Sequence, residues 1–440
     1  MFENESNANL NTEPSIDRKK WVKSIHRNVH SHDVRSIAAT QRTIFSGGID
    51  CLLAVNDIAT RSMVKHAPLP HGDSVVLAEA ANLVVMRHPT FLEVWKLGEA
   101  VGGGGGGGGG RPTPGCVLKL AAEPEKLLQL RSKDDETIRC CAVSRDGGWI
   151  SYATCTRLRA YRLAVGDKVS LEKASVESDI EMAHHIRFYG AGRRMVTATE
   201  RGSLQFFEVC EGEPSVRLIE TVEGSGLHLS CGISHLASTA KGDVLAVADY
   251  AGNVSALDGK SRKCLAKMPR YERAAVTALS LNPGANCDLL VIAYADNHVV
   301  ECHTRSGRYS QFSKSRLETA FPKQWKSKKT ATRGAVQLGD EQLVLWDDAA
   351  ICVVDRKSTG GDAPPRSKQA KGGGGGGGGG ENEETRRRDT ARQVRITRKY
   401  EHLLYLGAMS DGALVAVEVR PQAIEEQLPP SLRQKKFGAM

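Results

Sequence analysis

Short apolar runs rich in Val, Ile and Leu recur along the chain, each set off by a polar turn carrying Gly, Asp, Asn or Ser. Runs of that length and composition, bounded by turn residues, predict strands, and the repeat region shows no amphipathic helical period. The first unit is HSHDVRSIA followed by TIFSGGIDCLLAVND, and the second is SVVLAEAANLVVMRHPTFLEVWKL. IRCCAVSRDGGWISYATCTRLRAYRL, HHIRFYGAGRRMVTATERGSLQFFEV and ISHLASTAKGDVLAVADYAGNVSALD continue the series. VTALSLNPGANCDLLVIAYADNHVVECH is the sixth unit and RGAVQLGDEQLVLWDDAAICVVD the seventh, with a last pair, HLLYLGAMSDGALVAVEV, after a long insertion.

Each unit repeats one order: inner strand, turn, middle strand, turn, outer strand. The period lies near the roughly 40 to 45 residues of a propeller blade. In the first unit His32 stands at the entry to the inner strand, Asp50 in the next tight turn and Ser46 between them. Three such polar groups can be buried together only if they satisfy one another. Trp95 falls near the end of the third strand of the second unit, and Asp249 and Asp296 occupy the turn position of Asp50 as turn residues. The pattern therefore predicts an all-β, WD-type β-propeller of seven blades, with eight as the alternative count. A β-sandwich fits less well, because sandwiches rarely repeat one strand-turn grammar so often. The last pair either builds an eighth blade or closes the ring together with the strand WVKSIHRNV near the N-terminus, and the seven-blade count takes the second, mixed-chain closure.

Composition shifts divide the chain further. Residues 1–20 are polar and acidic and predict a disordered segment that does not read as a signal peptide, and the propeller is expected over 21–358. Glycine runs at Gly102 to Gly110 and Gly372 to Gly380 behave as flexible linkers, the first inside a loop and the second in a disordered insertion over 359–392. Neither run leads into Gly-Lys-Ser/Thr, so neither is a phosphate-cradling loop. Residues 393–420 are expected to hold the closing strands, and 421–440 a short C-terminal helix and basic tail.

Charge points to a class of partner. The 440 residues carry a formal net charge of +9 at pH 7, 40% are hydrophobic, and no apolar run is long enough to cross a membrane. An acidic partner fits that balance, nucleic acid being the commonest. The segment SKSRLETAFPKQWKSKKTATR concentrates Lys314, Arg316, Lys323, Lys326, Lys328, Lys329 and Arg333 against Glu318, and the tail adds Arg433, Lys435 and Lys436. In loops and termini such cations can reach phosphates. Trp325, within the first cluster, either stacks on an unpaired base or anchors the loop to the propeller.

Catalytic constellations are missing: there is no Gly-x-Ser-x-Gly elbow, no His-Glu-x-x-His helix and no dinucleotide fingerprint, so no enzyme activity and no cofactor is expected. Eleven cysteines without a CxxC pair argue against a disulfide framework or a zinc site. Most, such as Cys140, Cys155 and Cys352, read as small buried thiols within strands. His26, His30 and His32 alternate along the chain, but the propeller reading gives His32 a structural role rather than a metal. His184 and His185 open the fourth inner strand, where one of them can take the same polar role.

The stretches WVKSIHRNVHSHDVRSIA with SGGID, SRDGGWISY, LLVIAYADNHVVEC and the ending LVAVEVRPQAIEEQLPPSLRQKKFGAM resemble the cirhin family, also called U3 small nucleolar RNA-associated protein 4. The ending is the most specific part, and the resemblance runs in order from about Trp21 onward. It implies two tandem propellers in family members, of which this chain corresponds to the second. It also implies a nucleolar scaffold of the small-subunit processome, engaging the 5′ external transcribed spacer of pre-rRNA and supporting rRNA transcription and 18S maturation. Partners would then be pre-rRNA and processome subunits, with Ile424, Leu428 and Phe437 either anchoring a sister subunit or packing on the chain's own propeller. The rival class is a protein-only, peptide-reading WD module.

Overall fold

Valine, isoleucine and leucine at alternate positions favour extended backbone, and the Gly- and Asp-bearing turns between them fold each run back on the last. The computed structural model describes, short gaps apart, residues 28–98, 117–356 and 394–419, with the strand pair Phe2–Glu5 and Lys20–Lys23 and residues 426 and 428. Two compact units emerge: His71–Arg420, and Met1–Pro70 together with Pro421–Met440.

The unit His71–Arg420 is a WD-type β-propeller. Its described residues form seven antiparallel sheets in chain order. Blade I runs Val75–Ala78, Leu83–Arg87, Phe91–Lys96 and Glu125–Arg131. Blade II runs Cys140–Val143, Trp149–Ala153, Leu158–Val165 and Val169–Lys173. Blade III runs Ala183–Tyr189, Arg194–Thr199, Leu204–Cys210 and Ser215–Val222, with Ser175–Val176 added in parallel at its outer edge. Blade IV runs Ile233–Ser238, Val244–Asp249, Val254–Asp258 and Cys264–Lys267, and blade V Val276–Leu281, Leu289–Tyr294 and Val299–His303. Blade VI runs Gly334–Leu338, Gln342–Trp346, Ile351–Asp355 and Val394–Thr397, and blade VII Leu403–Ala408 and Leu414–Glu418.

Each inner strand packs beside the next, and Leu403–Ala408 of blade VII returns to Val75–Ala78 of blade I, which closes the ring. That closure corrects the expected make-up of the seven. The last strand pair is itself the seventh blade, and the first repeat of the sequence pattern is not in the ring. Nor does the strand Lys20–Lys23 close it; it pairs with Phe2–Glu5. The first repeat instead forms its own four-stranded sheet in the other unit, Val34–Ala39, Thr43–Gly48, Leu53–Asp57 and Met63–His66. Every residue of its strand Val34–Ala39 is exposed, Ile37 at 70%, whereas the corresponding strand Cys140–Val143 of blade II is buried throughout.

The core of the propeller is a series of layers between blades. Phe207, Met195 and Ile186 of blade III pack with Trp149 and Ala153 of blade II, while Phe206, Val196 and Leu204, from the other face, pack on Leu236, Leu245 and Val247 of blade IV. Strand alternation lets one blade serve both neighbours in this way. Polar stitches cross the same seams. His184 Nε2 donates to Ile233 O at 2.6 Å, His235 Nε2 to Thr277 O at 3.1 Å, and Gln337 Nε2 to Ser280 O at 2.7 Å. Burial holds the His184 imidazole below its ordinary pKa, which suits a neutral donor.

Both glycine runs lie outside the described residues, but their places in the blade order are clear. Gly102 to Gly110 falls between the third and fourth strands of blade I, and Gly372 to Gly380 between the third and fourth strands of blade VI. The segments 1–20, apart from Phe2–Glu5 and Lys20, and 421–440, apart from 426 and 428, also lie outside them, and with the latter the expected C-terminal helix.

Candidate functional site

The turn after each middle strand leaves backbone N–H groups pointing at one spot, and a carboxylate there can accept several at once. In the sheet of the first repeat that carboxylate is Asp50, and its histidine is His30 rather than His32. His30 Nδ1 lies 3.0 Å from Asp50 Oδ1 and donates to it, while His30 Nε2 accepts from Ser46 Oγ at 2.9 Å. The Ser31 and Leu52 N–H groups donate to the same carboxylate at 3.0 and 3.2 Å. The chain bends at Ser31 and His32, and the His32 ring lies against Ser31 Oγ at 3.1 Å. Burial would raise the Asp50 carboxyl, but the His30 and backbone donors outweigh it and hold the group below the usual range.

Asp249 of blade IV is bound the same way. Asn253 N–H donates to it at 2.7 Å, Asn253 Nδ2 at 2.8 Å and Ser230 N–H at 2.8 Å. In blade V, exposed Asp296 accepts from Tyr271 Oη at 2.6 Å and from His298 N–H at 3.0 Å. Trp95 of blade I is half-buried, its Nε1 donating to Glu93 Oε2 at 3.1 Å.

Blade VI builds its version of this knot out of the basic loop. Asp347 follows Trp346 at the end of the middle strand and accepts Ala349 and Ala350 N–H at 2.9 and 2.6 Å. Its other oxygen takes Lys328 Nζ at 2.5 Å and Thr330 Oγ1 at 2.6 Å. Lys328 Nζ sits 3.0 Å from the centre of the Trp325 ring, and Trp325 is fully buried, its Nε1 donating to Thr332 Oγ1 at 3.1 Å. Desolvation would push Asp347 up, but the Lys328, Thr330 and backbone donors keep it below the ordinary carboxylate range.

The expectation that Lys328 and Arg333 present charge to phosphates is therefore corrected. Lys328 is buried against Asp347, and Arg333 is half-buried with its guanidinium 2.5 Å from Asp348. Of the two readings of Trp325, the anchoring one holds, since a fully buried ring cannot stack on a base. Lys314, at the end of the short helix Gln311–Ser315, is exposed, while Lys326 in the helix Lys323–Lys326 is half-buried. The side chain of Lys323 lies outside the described residues, as do Arg316, Lys329, Arg433, Lys435 and Lys436. The same is true of Ile424 and Phe437, whereas Leu428 is half-buried.

A second buried ion pair has no counterpart among the sequence motifs. Arg356, after the third strand of blade VI, reaches Glu301 of blade V at 2.5 Å and Gln337 Oε1 at 3.0 Å. No local spacing announces it, because its members lie on two strands and a strand end in two blades. Cys302 and Cys352 are buried, their thiols pushed up to about 12 by desolvation, which leaves them protonated and inert. Cys155 differs from the expected buried thiol: it is exposed in the turn between two strands of blade II. Among the described residues no three His, Cys, Asp or Glu side chains gather as a metal set.

No protein-family model matches the chain. Individual relatives do. It is 28% identical over 431 residues to the U3 small nucleolar RNA-associated protein 4 homolog of Mus musculus, a match covering 96% of this chain and 60% of that protein. The chain is similar over most of its length to U3 small nucleolar RNA-associated protein 4 and its homologs. The Homo sapiens homolog is 27% identical with the same coverage, and the family member of Schizosaccharomyces pombe is 24% identical over 461 residues, covering 96% of this chain and 61% of its own. The chain thus spans about three-fifths of the length of these family members.

Proposed function

We propose that the chain is a non-catalytic scaffold of the small-subunit processome, working in the nucleolus on early pre-rRNA. The observation that carries this reading is similarity over 96% of the chain to proteins named for association with the U3 small nucleolar RNA. The propeller suits such a scaffold, because a rigid ring with many loop-built surfaces can hold protein and RNA partners at once. In this reading the chain meets processome subunits of the early subcomplex and the 5′ external transcribed spacer, supporting rRNA transcription and 18S maturation.

The exposed Lys314, with Arg316, Lys323, Lys326, Lys329 and the tail cations Arg433, Lys435 and Lys436, supplies phosphate contacts. Ile424, Leu428 and Phe437 dock a sister subunit, since a few apolar anchors dominate such interfaces. Purification of the tagged protein from growing cells tests the assignment. Enrichment of U3 small nucleolar RNA and processome subunits over a control propeller is the expected result; recovery of protein partners without that RNA would contradict it. Phe437→Ala should reduce recovery of the sister subunits, and unchanged recovery would remove the docking role.

A further inference from the structure

With Lys328 and Arg333 taken up inside blade VI, exposed positive charge among the described residues gathers also on blades IV and V. The hairpin between the third and fourth strands of blade IV, residues 259–263, and the loop after the third strand of blade V, residues 304–308, lie at the same end of neighbouring blades. The first presents exposed Lys260 and Lys263, the second exposed Arg305 and Arg308, and Lys267 is exposed at the end of the outer strand Cys264–Lys267.

Two observations make these loops one surface. Gly307 lies so close to blade IV that a Cβ on it would stand 2.4 Å from Lys267 O, so the blade V loop is seated directly on the strand carrying Lys267. The Asp258 carboxylate, which caps the blade IV hairpin by accepting Lys260 and Ser261 N–H at 3.0 and 2.6 Å, also feels the charge of Arg305. Nearby acids engage part of the rim: Lys260 stands 4.0 Å from Asp243, Arg305 donates to a half-exposed Asp288 at 3.1 Å, and Arg262, within the same hairpin as Lys260, pairs with Glu220 at 2.6 Å. Among the described residues, Lys263, Lys267 and Arg308 have no acidic partner within salt-bridge distance.

We propose that this rim, Lys260, Lys263, Lys267, Arg305 and Arg308, is a further phosphate-contact surface by which the propeller holds RNA. The inference deepens the proposed function and rests on it. Chemistry favours RNA backbone over an acidic protein. Protein interfaces are dominated by aromatic and aliphatic anchors, and none of the exposed large hydrophobic residues lies in these two loops. Apart from Arg262, which is paired with Glu220, their other residues are small or hydroxylic, such as Gly259, Ser261 and Ser306. Flexible Lys and Arg on such a surface neutralise phosphates without reading bases.

Fluorescence anisotropy of the whole chain with a labelled single-stranded RNA of mixed sequence, over a salt series, tests the rim. Lys263→Glu with Arg308→Glu should weaken binding by about tenfold at low salt, and losing two contacts should flatten the slope of log K against log salt by about 1.4. An equal charge change on blade II, Lys168→Glu with Lys173→Glu, should leave both unchanged. The milder pair Lys263→Gln and Arg308→Gln serves if the charge reversal disturbs folding. Wild-type binding that the rim variants leave intact overturns the rim but not the functional reading. A wild-type chain that does not bind RNA overturns both. Polyglutamate that binds the wild type as tightly as the RNA does, and loses affinity equally in the rim variant, would assign the rim to an acidic protein and overturn the proposal.

Discussion

Lys328 shows how one side chain's role depends on what the fold places beside it. In a run of lysines and arginines it looks solvated, yet it is held between the Trp325 ring and Asp347. Removing one member of a buried ion pair leaves the other charge stranded, so Lys328→Ala should cost roughly 3–5 kcal/mol. A large loss of urea midpoint checks this, and a midpoint like wild type would show the pair to be superficial. The histidines of the first repeat allow a sharper contrast. His30→Ala leaves Asp50 and Ser46 short of a partner and should cost about 1–3 kcal/mol, whereas His32→Ala should stay within about 0.5 kcal/mol. Hydrogen exchange across residues 34–66 reports both, and equal effects would refute the His30 assignment. Spacing could not choose between these two histidines, because the bend at Ser31 and His32 that separates them is a matter of backbone direction. Lys328 had a signal: the Trp346–Asp347 pair stands where Asp249 stands in blade IV, and such a carboxylate needs donors from the loop before its blade.

At the scale of the strand and turn, the blades share one electrostatic habit. Asp50, Asp249 and Asp347 are all held below their ordinary pKa by donors that outweigh burial. A depressed carboxylate contributes stability that is fully present above its unfolded pKa, here the ordinary 3.8, and is lost as pH falls through the lower folded value. Thermal stability should therefore be flat in this respect near neutrality and decline below about pH 4. Asp249→Asn should lower stability at pH 7 and shrink that acid limb; an unchanged limb would mean the carboxylate is not coupled to folding. Strand positions were legible in the sequence because local propensity and turn chemistry agree throughout the ring. The stitches His184–Ile233, His235–Thr277 and Arg356–Glu301 were not, since each joins residues of different blades.

For the molecule as a whole, repeat grammar identified the propeller but could not say which repeats share a ring. Leu403–Ala408 meeting Val75–Ala78 decides that, a contact between residues more than three hundred positions apart. The first repeat carries the fullest polar signature, His30, Ser46 and Asp50, yet belongs to the other unit. Charge followed the same logic: a basic cluster read along the chain was partly consumed by folding, while the rim of blades IV and V is assembled from two loops about forty residues apart. The proposed work of this propeller on pre-rRNA is tested most directly by crosslinking of the tagged protein in growing cells, with sequencing of the bound RNA. Reads concentrated in the 5′ external transcribed spacer are the predicted result; abundant crosslinked protein with no pre-rRNA above background would contradict it.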